Sequence, residues 1–409
     1  MRSRIVRLAV PAVVGAVALA GCGSNKSSNS GSSGNGGKTV TIGLIAPLSG
    51  SLSALGAGMN NSVDLAVKQA NANKTIKGWT IRYEPQDDQA TPNVGAQVAS
   101  KLASESNVGA VIGTLNSSVS QQVQPVLAQA KIVQISPANT NPPLSQGPNF
   151  AKGDKKRPFD SYFRTATTDS VQGPYGAQYL YTTAGKKTVA TVDDQLAYGV
   201  GLVQQFGQEY TKLGGKILDH ESVTGGQKDF SAVISKIKPK HPQAVYYGGQ
   251  YPEASLLAKQ MKAAGLNIPL MGGDGIQDPT YIKVAGAAAT GDLATSVGAP
   301  TAQLATAKTF IADYKAAGYK EPYSTYGALS YDATNVAIAA LAKALNGKDK
   351  IDDSVKQAII TAVQNTKVDG VTGSVSFDQF GDTTNKLLTV YKVEGGAWVP
   401  VKTGSFNGG

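Results

Sequence analysis

The chain has 409 residues and a formal net charge of +10, from 38 Lys and Arg against 28 Asp and Glu, with one cysteine and two histidines. Spread over this length, the basic excess is a mild bias and excludes a nucleic-acid footprint. A single cysteine excludes a disulfide framework, no metal-ligand cluster stands out, and neither His220 nor His241 pairs with a nucleophile motif, so catalysis has little to work with.

Arg2, Arg4 and Arg7 precede the apolar run Leu8 to Ala20, which is too short for a mature membrane span and has the build of a secretory signal. Removing those three arginines leaves 10 − 3 = +7. The run ends in Leu19-Ala-Gly-Cys22, a pattern that resembles the bacterial lipobox, in which the signal is cut away and the new N-terminal Cys carries lipid. From Gly23 to Gly37 nearly every residue is Gly, Ser or Asn, a flexible solvated linker. The expected layout is a signal peptide over 1–21, lipidated Cys22 with its linker over 22–37, then a globular body. No further apolar run reaches the roughly 18 residues a membrane span needs.

From Lys38 onward the chain is long enough for two domains. Thr39 to Ala46 alternates as a strand, Gly56 to Ala72 has apolar residues at helical spacing, Trp79 to Glu84 is a strand, and Val94 to Ala103 a helix. Val108 to Gly113 and Ile132 to Ile135 are short apolar runs without helical period, as in buried parallel strands. Lys152 to Arg157, the densest basic cluster, reads as a solvated loop. A second series follows Gly173-Pro174: strands at Thr188 to Val192, Lys216 to Val223, Ala244 to Tyr247 and Ile268 to Met271, with helices at Val200 to Leu213, Phe230 to Ile237 and Glu253 to Ala264. Ala184-Gly-Lys-Lys-Thr188 is a helix end and not a phosphate loop, since Leu180 stands where that motif requires Gly. Ala302 to Ala317, Tyr326 to Leu345 and Ile351 to Asn365 are helical patterns, closed by strands at Ser374 to Phe377 and Leu387 to Val393. Two βα series followed by helices and closing strands give an α/β fold of two doubly wound parallel-sheet lobes, with a chain that crosses between them more than once.

The two apolar runs of the first series both end in hydroxyl and amide residues: Asn116, Ser117, Ser118 and Ser120 after one, Ser136, Asn139, Thr140 and Asn141 after the other. Ligands of open parallel sheets bind beyond the carboxyl ends of the strands, where helix N-termini offer free N–H groups to an anion. The same residues also fit helix starts, with Ser118-Val-Ser-Gln121 as a capping box and Ser117 as an N-cap. In the second series Asp274 lies between glycines at a strand end, Tyr198-Gly199 at another, and Tyr246-Tyr-Gly-Gly-Gln-Tyr-Pro-Glu253 brings aromatics and the Gln250 amide to a third, residues suited to line a cleft.

From Lys38 to about Val399 the chain resembles the branched-chain amino-acid binding proteins of bacterial ABC importers, with the type I periplasmic binding protein fold. The resemblance rests on Ile45-Ala-Pro-Leu-Ser-Gly50, Ile112-Gly-Thr-Leu-Asn-Ser-Ser118, Ile135-Ser-Pro-Ala-Asn-Thr140, Phe163-Arg-Thr165 with Gln172-Gly-Pro174, Tyr198-Gly199, Gly226-Gln-Lys-Asp-Phe-Ser231, Tyr246-Tyr-Gly-Gly249 and Gly272-Gly-Asp-Gly275, in family order. It implies three crossovers, near Thr168, Pro300 and Val371, with lobe 1 over 38–168 and 300–371 and lobe 2 over 169–299 and 372–409. It further implies that Ser117 and Thr140 hold a ligand α-carboxylate, that Leu115, Asn116 and Ala138 line the pocket, that Tyr198 contributes from the second lobe, and that Asp274 pairs with the α-ammonium. Departures fall at Leu55 and Gln250, where the family often has aromatics, and at Asp274, where it often has Glu. Gln250 is therefore a candidate partner for a polar ligand.

The expected function is that of a lipid-anchored, monomeric, extracytoplasmic solute-binding protein, without cofactor or catalysis. It would capture a branched-chain or other small amino acid and deliver it to a permease and ATPase complex. The alternatives are the same fold holding an amide, urea-like or aromatic-acid solute, or serving as a ligand sensor.

Overall fold

The computed structural model describes residues 37–406; the leader, Cys22 and all but the last linker residue lie outside the described residues. Five parallel strands make the first sheet: β1 (Lys38–Ala46), β2 (Trp79–Asp87), β3 (Val108–Gly113), β4 (Val133–Ser136) and β5 (Tyr162–Arg164), in the order β2-β1-β3-β4-β5. Every residue of β3 and β4 is buried, which is why both read as unbroken apolar runs: helices cover both faces of a parallel sheet. Helices Ser53–Ala72, Pro92–Ser104 and Ser117–Gln129 make the crossovers.

The second sheet repeats the plan with β6 (Thr188–Asp193), β7 (Lys216–Ser222), β8 (Ala244–Gly248), β9 (Leu270–Gly272) and β10 (Leu293–Val297), ordered β7-β6-β8-β9-β10. Strands β11 (Lys367–Gly370) and β12 (Gly373–Ser376) form a separate two-stranded ribbon, and β13 (Leu387–Glu394) and β14 (Ala397–Ser405) extend the second sheet as an antiparallel pair beyond β10. In both sheets the strand order reverses beside the first strand, between β1 and β3 and between β6 and β8, so each lobe has its crevice there. After β10 the chain returns to the first lobe, where helix Gly327–Ala344 packs on β3, β4 and helix Ser53–Ala72, and it then rejoins the second sheet at β13.

Four local features depart from the sequence pattern, each for a physical reason. The helix expected over 302–317 is α-helical only at Lys308–Ala316; before it run two 3₁₀ turns, Thr301–Gln303 and Ala305–Ala307, where all but Ala307 are exposed or half-buried and no apolar stripe can hold a longer helix. Strand β10 is fully buried although Thr295 and Ser296 interrupt its apolar run, because the Thr295 hydroxyl is satisfied internally by the Gln172 side chain at 2.9 Å. Strand β14 carries Pro400 and is mostly exposed, as an edge strand permits. Helix Asp169–Gln178, with Gly173, Pro174 and Gly176 inside it, has no helical signature and owes its place to packing: a β-carbon at Gly173 would stand 2.7 Å from the Phe206 amide of helix Ala197–Lys212. That helix runs on to Thr183 and the chain turns at Gly185 with φ +67°, so Ala184 to Thr188 is the helix end expected.

The joint between β5 and the last crossing is fastened by a fully buried ion pair, Arg164 Nε to Asp382 Oδ1 at 2.6 Å. The same guanidinium donates to the carbonyls of Asn139 (3.2 Å) and Asn141 (2.8 Å) and to the Ser145 hydroxyl, and Gln146 donates to the other oxygen of Asp382 at 2.7 Å. Arg164 thus holds in shape the loop that carries Thr140. Asp382→Ala, which strands this guanidinium, is expected to cost about 3–5 kcal/mol, read as a lower midpoint of urea unfolding; a wild-type midpoint would contradict the role given to the pair.

Candidate ligand site between the lobes

At the carboxyl end of β3 the helix begins at Ser117, with Asn116 in the N-cap position, and no side chain caps it. The capping readings of Ser117 and of Ser118 to Gln121 therefore fail. Of the first-turn amides, Ser120 N–H bonds the Asn116 carbonyl at 3.0 Å, and those of Ser117 to Val119 have no intrahelical acceptor. The adjoining β4 loop is locked against it: the Ser136 hydroxyl donates to the Thr114 carbonyl (2.8 Å) and accepts from Asn139 N–H (2.8 Å), and Asn139 Nδ2 donates to the Leu115 carbonyl (2.9 Å). These bonds set Leu115, Asn116 and Ser117 alongside Ala138 and Thr140. All five are buried, and Asn116 Oδ1 has no hydrogen-bond partner.

From the second lobe Asp274, only 1% exposed, opens a 3₁₀ turn just beyond β9. Its Oδ1 accepts from Tyr198 Oη (2.8 Å) and Gln172 Nε2 (2.9 Å), and its Oδ2 accepts from Tyr326 Oη (2.9 Å). The neighbouring glycines are what let Tyr198 so close: a β-carbon at Gly273 would fall 2.3 Å from its hydroxyl oxygen, and one at Gly275 would fall 3.0 Å from its ring and 2.7 Å from Gln250 Oε1. Burial pushes the Asp274 carboxyl up from the ordinary range, against the donors Tyr198, Gln172 and Tyr326.

A second acid stands beside it. Asp169, the first residue of its helix, is fully buried; its N–H bonds the Thr140 carbonyl at 2.8 Å, and its Oδ1 accepts from Gln172 Nε2 at 3.2 Å. One amide thus bridges both carboxyls, and the Thr140 hydroxyl lies close enough to the Asp169 carboxyl to favour its ionised form. Burial, and then the charge of Asp274, push the Asp169 carboxyl up to about 8. Asp169, Gln172 and Tyr326 were not singled out as site residues from the sequence. The acid and amide three residues apart at a helix start were the only local sign, and Tyr326 comes from a helix more than fifty residues away along the chain.

The lobes meet over these groups. Asn141 Nδ2 donates to the Ala197 carbonyl at 2.5 Å, the Tyr251 hydroxyl to the Ser51 carbonyl, and Thr325 Oγ1 to the Gln277 carbonyl at 2.6 Å. Tyr198 and Gln250, like the rest of the expected set, are buried. An open pocket of about 370 Å³ lies behind the joint, lined by Gln277, Pro300, Tyr323 and Trp398 among others, but no carboxylate lines it. Two buried acids, a free helix N-terminus and several unpaired polar atoms mark the space between the strand ends as the chemical site.

The family model described as periplasmic binding protein matches residues 39–397. This chain is a member of the periplasmic binding protein family. Family members bind solutes and are not enzymes. The Leu/Ile/Val-binding protein BraC3 of Rhizobium johnstonii is 31% identical over 358 residues, which cover 87% of this chain and 92% of that one. The leucine-binding protein LivK of Thermotoga maritima superposes with a TM-score of 0.79 at 28% identity, covering 89% and 98% of the two chains. The branched-chain amino-acid transporter substrate-binding protein LivJ of Streptococcus pneumoniae, solved with isoleucine, gives 0.76 at 28%, covering 90% and 99%. The two-lobed type I fold is the architecture of the family, and among the described residues no helix is long and apolar enough to cross a membrane.

The raised carboxyl gives a pH signature. Because the folded-state value of Asp169 lies above the ordinary 3.8, its neutral form contributes stability fully below pH 3.8, and that contribution is lost as pH rises through about 8. A ligand cation reverses this by favouring the ionised form. Ligand binding at neutral pH is therefore expected to release up to one proton, seen as an apparent binding enthalpy that changes with the ionisation enthalpy of the buffer, and affinity should rise as pH approaches 8. An enthalpy independent of buffer would show that no such proton is displaced.

Proposed function

We propose that this protein is the solute-capturing component of an ABC importer and that it holds a branched-chain or other small amino acid between its lobes. The observation that carries this reading is the Asp274 carboxylate, buried beneath three donors and bridged by Gln172 to Asp169, whose N–H bonds the Thr140 carbonyl in the first-lobe loop. A zwitterion leaving water needs both charges compensated, since an isolated buried charge costs several kcal/mol. The α-carboxylate is taken by the first-turn amides at Ser117 and Ser118 with the Ser117 and Thr140 hydroxyls, where helix N–H groups favour an anion. The α-ammonium is taken by Asp274 with the neighbouring Asp169 carboxyl, and its charge lets both acids ionise together. Leu115 and Ala138 supply apolar wall. The relatives named for Leu, Ile and Val, and the structural neighbours named for leucine or solved with isoleucine, support the amino-acid class.

Outside the described residues, the leader and Cys22 fit lipid anchoring on the extracytoplasmic face of the membrane, with the Gly/Ser/Asn linker as a tether to a monomeric body and a permease and ATPase complex as the receiving partner. Cys22→Ala is expected to release the folded protein from membranes or leave its leader uncut; a membrane-bound variant of normal mature mass would contradict the anchor. For the site, Asp274→Asn should weaken binding of the tightest amino acid by roughly 2–5 kcal/mol, as for breaking a desolvated pair. Ser117→Ala should cost less, because the backbone donors remain. Calorimetric titration of both variants decides, and wild-type affinity in Asp274→Asn would remove the ammonium from this account.

A further inference from the structure

Two side-chain amides, one in each lobe, stand where a strand runs into its helix, and neither caps that helix. Asn is among the best N-capping residues, yet Asn116, after β3, accepts nothing from the first turn of its helix. Gln250 holds the same position after β8, at the start of helix Tyr251–Ala263, and it too makes no cap bond. Asn116 is 5% exposed and Gln250 8%, and the side-chain oxygen of each is buried without a hydrogen-bond partner. Gln250 Oε1 lies against the Asp274 turn, so close that a β-carbon on Gly275 would stand 2.7 Å away. The bonds from Asn141 to Ala197 and from Tyr251 to Ser51 draw the ends of β1, β3 and β4 toward those of β6 and β8, and both amides stand at these strand ends.

A buried amide oxygen without a donor is costly, and neither helix relieves it. We infer that the cleft selects an amino acid whose side chain ends in a neutral carboxamide, an inference that rests on the amino-acid reading above and narrows it. A carboxamide brings two N–H donors, one for each unpartnered oxygen, and one acceptor for an amide NH₂. An aliphatic tail leaves both oxygens unsatisfied. An acidic tail brings no N–H donor and adds a further anion beside Asp169 and Asp274, and a cationic tail must leave a second full charge out of water. A site built to hydrogen-bond a ligand group rejects the isostere that lacks it.

The test is calorimetric titration of the purified protein with glutamine, asparagine, leucine, isoleucine, lysine and glutamate. Glutamine or asparagine is expected to bind about tenfold or more tighter than any of the other four, and Gln250→Leu should move the ratio toward leucine by a comparable factor. Wild-type protein that binds leucine, isoleucine, lysine or glutamate as tightly as the carboxamides overturns this inference and leaves the amino-acid reading standing. An unchanged ratio in a folded Gln250→Leu protein overturns the role of Gln250. Failure of all six to bind overturns the inference together with the amino-acid reading beneath it.

Discussion

The Asp274 carboxylate is the point on which the two lobes agree. Tyr198 and Gln172 reach it from the second lobe, while Tyr326 reaches it from the helix that packs on β3 and β4 in the first. Parting the lobes must break the Tyr326 bond and uncover a carboxylate that burial has driven toward its neutral form. Closure and charge compensation are therefore one event: the acid is tolerable inside only when donors, a proton or a cation meet it.

Asp169 sharpens this coupling. Two buried carboxyls bridged by one Gln172 amide disfavour ionising together, and Arg164, paired with Asp382, offsets this only in part. In the proposed reading a ligand ammonium supplies the compensating charge. The anion-binding end needs no side-chain charge, because β3 and β4 end side by side and their loops are sewn together through Ser136 and Asn139. In that reading the fold supplies backbone dipoles to the ligand carboxylate and places its acids at the joint between the lobes.

Much of this was legible in the sequence, and the reasons are specific. β3 could be read to the residue because a strand covered on both faces must be apolar throughout, and Asp274 could be located because glycines on either side at a strand end announce a close approach. Helix Asp169–Gln178 could not be read. Its glycines and proline argue against a helix locally, and only packing against helix Ala197–Lys212 outweighs them. Asp169 and Gln172 were hidden with it. Tyr326 was hidden for another reason, since nothing local says which side chain of a long apolar helix will cross to the other lobe. The cap at Ser117 was misread by one residue: Asn116 holds that position, and only the structure shows that its amide is left unpaired.

Because one carboxylate is held by both lobes, a ligand that compensates it should drive the lobes together. Small-angle scattering of the purified protein, with and without a saturating amount of the amino acid it binds most tightly, tests this most directly. The account predicts a smaller radius of gyration and a shorter maximum dimension on binding, with Tyr326→Phe starting from a more open distribution. Superimposable profiles with and without a bound amino acid would contradict it, because the ligand would then be held without closing the joint on which the whole site depends.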